Sequence, residues 1–578
     1  MNIKKTGFTI LVIIPILLLI TIAGCKKYAD PPPYFEVTGD TTQQAERKVL
    51  IIGIDGAIGV EYKSIKPTVL MGLKTHSKYS WEAVSDEATT DAASWKTLMS
   101  GVSYFRHQIK DSSFIYTQPP GSNEEHSPII SYPSFFTQLL TTTRADTKTT
   151  FITAWPELLT RLLPEVEEKI LAANDAAVKD SAVSTLKKVN SDVVIVDFNG
   201  VAKAGKAFGF SANSQGYVDA VLKTDGYIGE LLAALKSRPE YNKNEEWLII
   251  ITGTHGGNGN SYGGPSESET NVPTFYYNEN FLEKEFIREG TFAGVEIKGN
   301  NANAVKAKLL NDNGLYNPGR GEQTIQIKVK GTSGFYPHFF SKMERWYTTP
   351  GWSMFTSGSE WSISIRSTTS GERRLQDNRR SVLDGSWHTI TVTIADSASK
   401  KWLRKYTDGI RHDQVDITTI YDNNGTVVSP SPITMGFGAD PTMGASTYFS
   451  ADAMIFNTAL SDQEIASSIC MQDITQHPKY SNLIGYWPGN DGFGGRLKNK
   501  APGQHTDFIL EGGYSWAGVP DLPCTTQPNN DPLKESLLVK AVDVAPIFFY
   551  WLRLEPKADW GLEGTNWLTK YEMEFVKL

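Results

Sequence analysis

The chain has 578 residues, with 56 Lys+Arg against 64 Asp+Glu for a net charge of -8. That length exceeds one ordinary core and predicts several domains, while 21% charged and 40% hydrophobic residues exclude a disordered or fibrous chain. Mild acidity gives no counterion-release argument for nucleic-acid binding, and three cysteines, Cys25, Cys470 and Cys524, exclude a cysteine-rich zinc module.

Lys4 and Lys5 precede an apolar stretch, 8–22, that ends in Ala23-Gly24-Cys25. A basic start, an apolar run and small residues before the cut predict a secretory signal over 1–24. The cysteine after the small residues resembles the lipobox of bacterial lipoproteins. That resemblance implies cleavage before Cys25 and acylation of its thiol and new amino group; the expected location is the outer membrane, on its periplasmic or cell-surface face. Two or three acyl chains hold a protein at a membrane stably. Residues 25–45 form a stiff, proline-containing tether with only Asp30 acidic near the cysteine. In an oxidising compartment Cys470 and Cys524 could pair.

Residues 48–55, Lys-Val-Leu-Ile-Ile-Gly-Ile-Asp, predict a buried parallel strand carrying a carboxylate at its C-terminal end. Similar strands are expected over 192–197 and 247–252, with helices over 94–98 and 217–235. Alternation of this kind predicts an α/β fold with a mostly parallel sheet flanked by helices, its sites at the carboxyl ends of the strands. After about residue 317, short alternating stretches at 324–330, 361–366, 388–393 and 434–437 predict an antiparallel β-sandwich. The apolar helical stretch 542–554 then returns to the first pattern. The expected division is therefore an α/β domain over 46–317 and 530–578, a sandwich inserted over 318–475, and a linking segment over 476–529.

The ordered pieces of the α/β region are Val49-Leu-Ile-Ile-Gly-Ile-Asp55-Gly, Ser94-Trp95 through Gly101 with His107, Asp225 through Gly229, Ile251-Thr-Gly-Thr-His255-Gly-Gly, Val272-Pro273-Thr274 and Val542-Asp-Val-Ala-Pro546. As a set they resemble the alkaline phosphatase superfamily, in its type I phosphodiesterase/nucleotide pyrophosphatase branch. The resemblance implies two metal ions, usually zinc, held by Asp and His beside a Thr or Ser nucleophile. Two cations about 4 Å apart lower the nucleophile's pKa and clamp the phosphoryl oxygens. This sequence departs from that set. Asp55 and His255 match metal ligands. The nucleophile position falls on Asp91, or on Thr90 if the register slips by one. The Asp-x-x-Gly-His element becomes Ala202 through Lys206, the Asp of the Asp-His pair is Thr254, and the last His is Tyr262. Lys206 is expected to pair with Asp55 or Asp91 in place of an ion. Asp192, Asp197 and His107 are the remaining candidates to complete a site. Asp197 could instead cap the following turn, and His107 could serve helix-start hydrogen bonding. Ala92-Ala93 lacks the Cys-x-Pro-x-Arg pattern of a sulfatase.

In the sandwich, Asp384-Gly-Ser-Trp387-His388, Tyr406-Thr-Asp408-Gly409 and Ala453-Met-Ile-Phe456 followed by Ala459-Leu-Ser-Asp-Gln-Glu464 resemble laminin-G/concanavalin-like modules. Such modules bind glycans, proteins or calcium, or only pack. Trp346, Trp352 and Trp361 are the candidate rim aromatics, Trp387 and His388 are assigned to the core, and no carboxylate cluster calls for calcium. The pair Tyr486-Trp487 is expected to pack against the α/β domain. Together these features predict an envelope lipoprotein in which a non-catalytic phosphatase-like scaffold carries a glycan- or protein-binding module. Similar composite lipoproteins accompany Sus-type outer-membrane uptake complexes, so an accessory subunit is the expected role, with no cofactor. The alternative is an active phosphodiesterase or phosphatase holding two zinc ions.

Overall fold

The computed structural model describes residues 45–575 apart from 117–130, 189, 289–292, 298–305, 310–311, 334–337, 345–347, 358–359, 370, 377–380, 437–446, 472, 493, 504–505, 513 and 519–530. The expected leader, Cys25 and the tether up to residue 44 lie outside the described residues, as do Trp346 and Cys524. Cys470 is disulfide-bonded. Among the described residues no helix is long and apolar enough to cross a membrane.

The strands of the first region are β1 (Glu46–Asp55), β2 (Ser77–Val84), β3 (Thr149–Thr153), β4 (Glu168–Leu171), β5 (Val193–Phe198), β6 (Glu245–His255), β7 (Asn271–Tyr277) and β8 (Lys284–Ile287). With Lys534–Ser536 they form a nine-stranded sheet in the order Lys534–Ser536, β8, β2, β7, β6, β1, β5, β3, β4. Pairing is parallel between β1 and β5, β5 and β3, and β3 and β4. β7 runs antiparallel to both its neighbours, β2 and β6.

The β1 run is apolar without alternation because both its faces are covered. Val49 and Ile51 point into one core with Phe135, Phe548 and Trp551. Leu50, Ile52 and Ile54 point into another with Tyr217, Val221, Ile228, Leu231 and Leu235. Those five lie on the helix Gln215–Lys236, spaced three, four or seven residues apart, so they form one helical stripe. Asp225 on the same helix accepts the backbone N–H groups of Val69 and Leu70 at 2.8 and 3.1 Å, which makes it a cap for the helix Thr68–Leu73. The helix Val544–Trp551 is buried on all sides in the same core as Val49, so after the sandwich the chain returns to the first sheet.

Two eight-stranded antiparallel sheets make up the second region. One contains Gln323–Ser333, Trp387–Ser397, Lys400–Thr407 and Thr447–Phe456, and the other Gly351–Ser357, Glu360–Arg366 and Ile433–Met435. Ile325, Ile327, Val392 and Ile394 of the first sheet share a core with Trp352, Met354, Ile363 and Ile365 of the second. Full burial of each such aliphatic side chain contributes roughly 1.5–3 kcal/mol. The sheets draw strands from Ala293–Ile297 through Ser515–Gly518, so they extend on both sides of 318–475. Asp408 and Gly409 both have positive φ, 50° and 78°, in the tight hairpin that Asp-Gly favours.

Three sandwich expectations are corrected. Trp352 and Trp361 are each 1% exposed and belong to the core rather than the rim. Strand alternation puts them on the face of Met354, Ile363 and Ile365, and that face meets the opposite sheet. Trp487 also lies in the sandwich core and Tyr486 packs beside Tyr406 and Met454, so neither docks on the α/β domain. His388 is partly exposed, bridged by Asp408 at 2.8 Å and Asp384 at 3.1 Å. The domains meet instead through Phe105 against Tyr514, with ring centroids 5.6 Å apart, and through Lys498 Nζ on the Pro265 carbonyl at 2.6 Å.

Candidate functional site

The carboxyl ends of β1, β5 and β6 converge. In the β1/β5 register Gly53 faces Asp197, so Asp55 projects just beyond. β6 ends at Thr254-His255, and Thr254 Oγ1 donates to Asp55 Oδ1 at 2.5 Å. The helix Asp91–Ser100 supplies Asp91 from its first turn. One ligand atom from each of Asp55, Asp91 and His255 lies within 4.8 Å of the others.

His255 is fully buried, and its Nδ1 meets the Gly256 carbonyl at 2.7 Å. A carbonyl only accepts, so Nδ1 carries a proton. Nε2 lies 2.9 Å from Asp91 Oδ1. Burial alone pulls the imidazole down, but the Asp91 hydrogen bond and the charges of Asp55 and Asp91 outweigh it and raise His255. In its protonated form the ring donates at both nitrogens, to the Gly256 carbonyl and to Asp91. Burial pushes Asp91 up, and this is overcome by the His255 bond and charge, the Tyr262 bond and the Lys206 charge, so Asp91 is held below its ordinary range. The Tyr262 hydroxyl donates to Asp91 Oδ2 at 3.0 Å, and its ring stacks on His255 with centroids 4.1 Å apart.

Lys206 does not make the direct ion pair expected of it. Its ammonium lies over the Tyr262 ring, 4.2 Å from the centroid, because that aromatic stands between the helix Gly200–Phe208 and Asp91. Thr90 faces away from the cluster: its hydroxyl donates to the Lys110 carbonyl at 2.7 Å and caps the helix by accepting from Ala93 N–H at 3.3 Å. Asp197 is buried at the end of β5, where it accepts from Thr153 Oγ1 at 2.6 Å rather than capping the next turn. Asp192 lies elsewhere, paired with Lys48 at 3.0 Å. His107 bonds Thr97 Oγ1 at 2.9 Å and the Ile109 N–H at 3.0 Å, with burial pushing it down to about 3, so it serves as a neutral structural group.

Trp95, part of the Ser94–Gly101 motif, has a role that the motif does not declare: its indole N–H donates to Asp55 Oδ1 at 3.0 Å. Its signal was the four-residue spacing from Asp91, which puts both on one helix face. The matching cue is Gly53, where an added Cβ would lie 2.5 Å from the Trp95 ring. Asn199, Lys203 and Trp155 were also missed. With Asp55, Asp91, Ala202, Lys206 and Tyr262 they line a cavity of about 240 Å³.

The donor set does not fit two metal ions. Asp55, Asp91 and His255 offer atoms for one, with the His255 Nδ1–H on a carbonyl as a ligating histidine requires. For a second ion the positions present a methyl group at Ala202, an ammonium at Lys206, a hydroxyl at Thr254 already given to Asp55, and a phenol at Tyr262. Alanine and a lysinium bind no zinc.

Residues 72–313 match the family model described as type I phosphodiesterase / nucleotide pyrophosphatase. The match supports the alkaline-phosphatase-like superfamily for that stretch, which includes Asp91, Ala202, Lys206 and His255 but not Asp55. A search of curated proteins finds no match. Among solved structures the chain is similar to a 2-O GAG sulfatase, at 11% identity and TM-score 0.32 over 41% of this chain and 65% of that one. It is also similar to murine ectonucleotide pyrophosphatase/phosphodiesterase 5, at 16% identity and TM-score 0.28 over 36% and 57% of the respective chains. A pentraxin from Limulus polyphemus matches at 11% identity and TM-score 0.29 over 41% and 99%. The chain thus spans less than two thirds of the sulfatase and of the phosphodiesterase.

Proposed function

We propose that the chain is an envelope lipoprotein in which a phosphatase-like scaffold without catalytic activity presents a laminin-G-like module. The module binds a glycan or a protein, and the whole acts as an accessory subunit of a Sus-type outer-membrane uptake complex. The observation that carries this reading is the state of Asp91. In the nucleophile position stands a carboxylate whose two oxygens are engaged by His255 and Tyr262. Phosphoryl transfer by two metals needs a nucleophile beside one cation and a second cation on the leaving oxygen. Ala202 and Lys206 supply neither.

The test is hydrolysis of p-nitrophenyl phosphate and its bis-ester with zinc added. No turnover above background is expected. Turnover that disappears in Asp55→Asn would establish the second reading, an active phosphodiesterase or phosphatase, which the Asp55–Asp91–His255 cluster favours. The anchor rests on the basic, apolar and small-residue pattern that ends at Cys25. Cys25→Ala is expected to abolish labelling by palmitate and move the protein to the soluble fraction. A variant still held in the membrane would refute lipidation.

A further inference from the structure

A second cavity, of about 510 Å³, lies where the α/β domain meets the sandwich, and it shares no lining residue with the Asp55–His255 site. Domain junctions are where small ligands commonly bind, and this volume is within the range of ligand sites. One wall comes from the end of the sandwich. Tyr514 O–H and Trp516 indole N–H both donate to the Gly494 carbonyl, at 3.1 and 3.0 Å. Their polar atoms are thereby engaged, and both rings remain half-buried in the lining. Phe105 of the α/β domain meets Tyr514 edge to face across the junction. The rest of the lining sets charges of both signs, Arg106 and Lys540 against Asp86 and Glu563, among serine, threonine, glycine and valine. Arg106 Nη1 donates to the Gly561 carbonyl at 2.8 Å and stands 3.5 Å from Glu563 Oε1, and Lys540 is close by.

We propose that this junction cavity binds a neutral saccharide, its C–H face against Tyr514, Trp516 and Phe105 and its hydroxyls on Arg106, Lys540 and Glu563. A pyranose has one apolar face and a rim of hydroxyls that each donate and accept, and this lining offers an aromatic surface with donors and acceptors beside it. A purely apolar ligand would strip water from the Arg106–Glu563 pair without replacing its hydrogen bonds. An anionic ligand would meet Glu563. The inference rests on the binding role proposed above and moves it from the buried Trp352 and Trp361 to aromatics with open surface.

The test offers the full chain immobilised neutral glycans (malto-, cello-, xylo-, manno- and chito-oligosaccharides) beside sulfated and uronate-containing ones. Retention by at least one neutral class is expected, weakened tenfold or more by Trp516→Ala. Because that change could loosen the sandwich, Glu563→Gln is measured as well. It keeps an acceptor for the Ser103 N–H and is expected to weaken binding several-fold with an unchanged unfolding temperature. Failure to retain any neutral glycan, retention of anionic glycans alone, or affinity indifferent to both variants would each overturn the assignment. Phosphoester turnover reads the Asp55–His255 site separately. A failure of glycan binding with no turnover leaves the non-catalytic reading standing, and turnover with glycan binding overturns that reading alone.

Discussion

Phe548→Ala is expected to destabilise the α/β domain by about 3–5 kcal/mol, the usual cost of truncating a fully buried phenylalanine. In a domain of this size that lowers its unfolding temperature by roughly 10 °C. Phe548 lies on the helix Val544–Trp551, hundreds of residues beyond β1, yet it packs on Phe135 with centroids 4.5 Å apart and on Phe136 at 6.0 Å. The same core holds Val49 and Ile51 of β1. The cost is large because close-packed neighbours collapse only partly into the space left behind. Calorimetry of the variant is the measurement. A loss below about 1 kcal/mol would mean that the final segment only decorates the domain.

Asp197→Asn is expected to stabilise the protein at pH 8 and to make little difference at pH 4. Burial pushes Asp197 up to about 7 from its ordinary value of 3.8, against the Thr153 hydrogen bond and with help from the charges of Asp175 and Asp91. Below 3.8 both folded and unfolded chains hold the proton. Between 3.8 and 7 the folded chain keeps a proton that the unfolded chain releases, so stability falls as pH rises, by about 1.4 kcal/mol per unit at most. Above 7 the whole cost is present. Asparagine keeps the acceptor for Thr153 and removes the charge, which returns about 2–4 kcal/mol at pH 8. Chemical denaturation at both pH values checks the sign. A variant less stable than the parent at pH 8 would show that the Asp197 charge is used, as a metal ligand's would be.

Local chemistry made much of the fold legible. β1 could be read because a run of β-branched residues with no polar alternation requires cover on both faces. The helix Gln215–Lys236 could be read from its stripe. The Asp408-Gly409 hairpin announced itself through residues that tolerate positive φ. What failed depended on partners distant in the chain. Alternation put Trp352 and Trp361 on one face of their strands but could not say that this face was the inner one. Lys206 could be placed in the pocket from its motif position, yet the aromatic ring of Tyr262, 56 positions later, decided that it would meet a π-face rather than a carboxylate. Trp95 went unnoticed as an Asp55 partner because an apolar residue on a buried helix reads first as core. The ligand positions themselves were legible residue by residue, since an alanine and a lysine announce the loss of a metal ligand without any geometry.

Ala202, Lys206 and Tyr262 leave no place for a two-metal phosphoryl-transfer centre. The most direct test is the zinc content of the full chain after equilibration with excess zinc and removal of the unbound ion. One zinc per chain or fewer is expected, and two per chain would show that a two-metal centre does assemble.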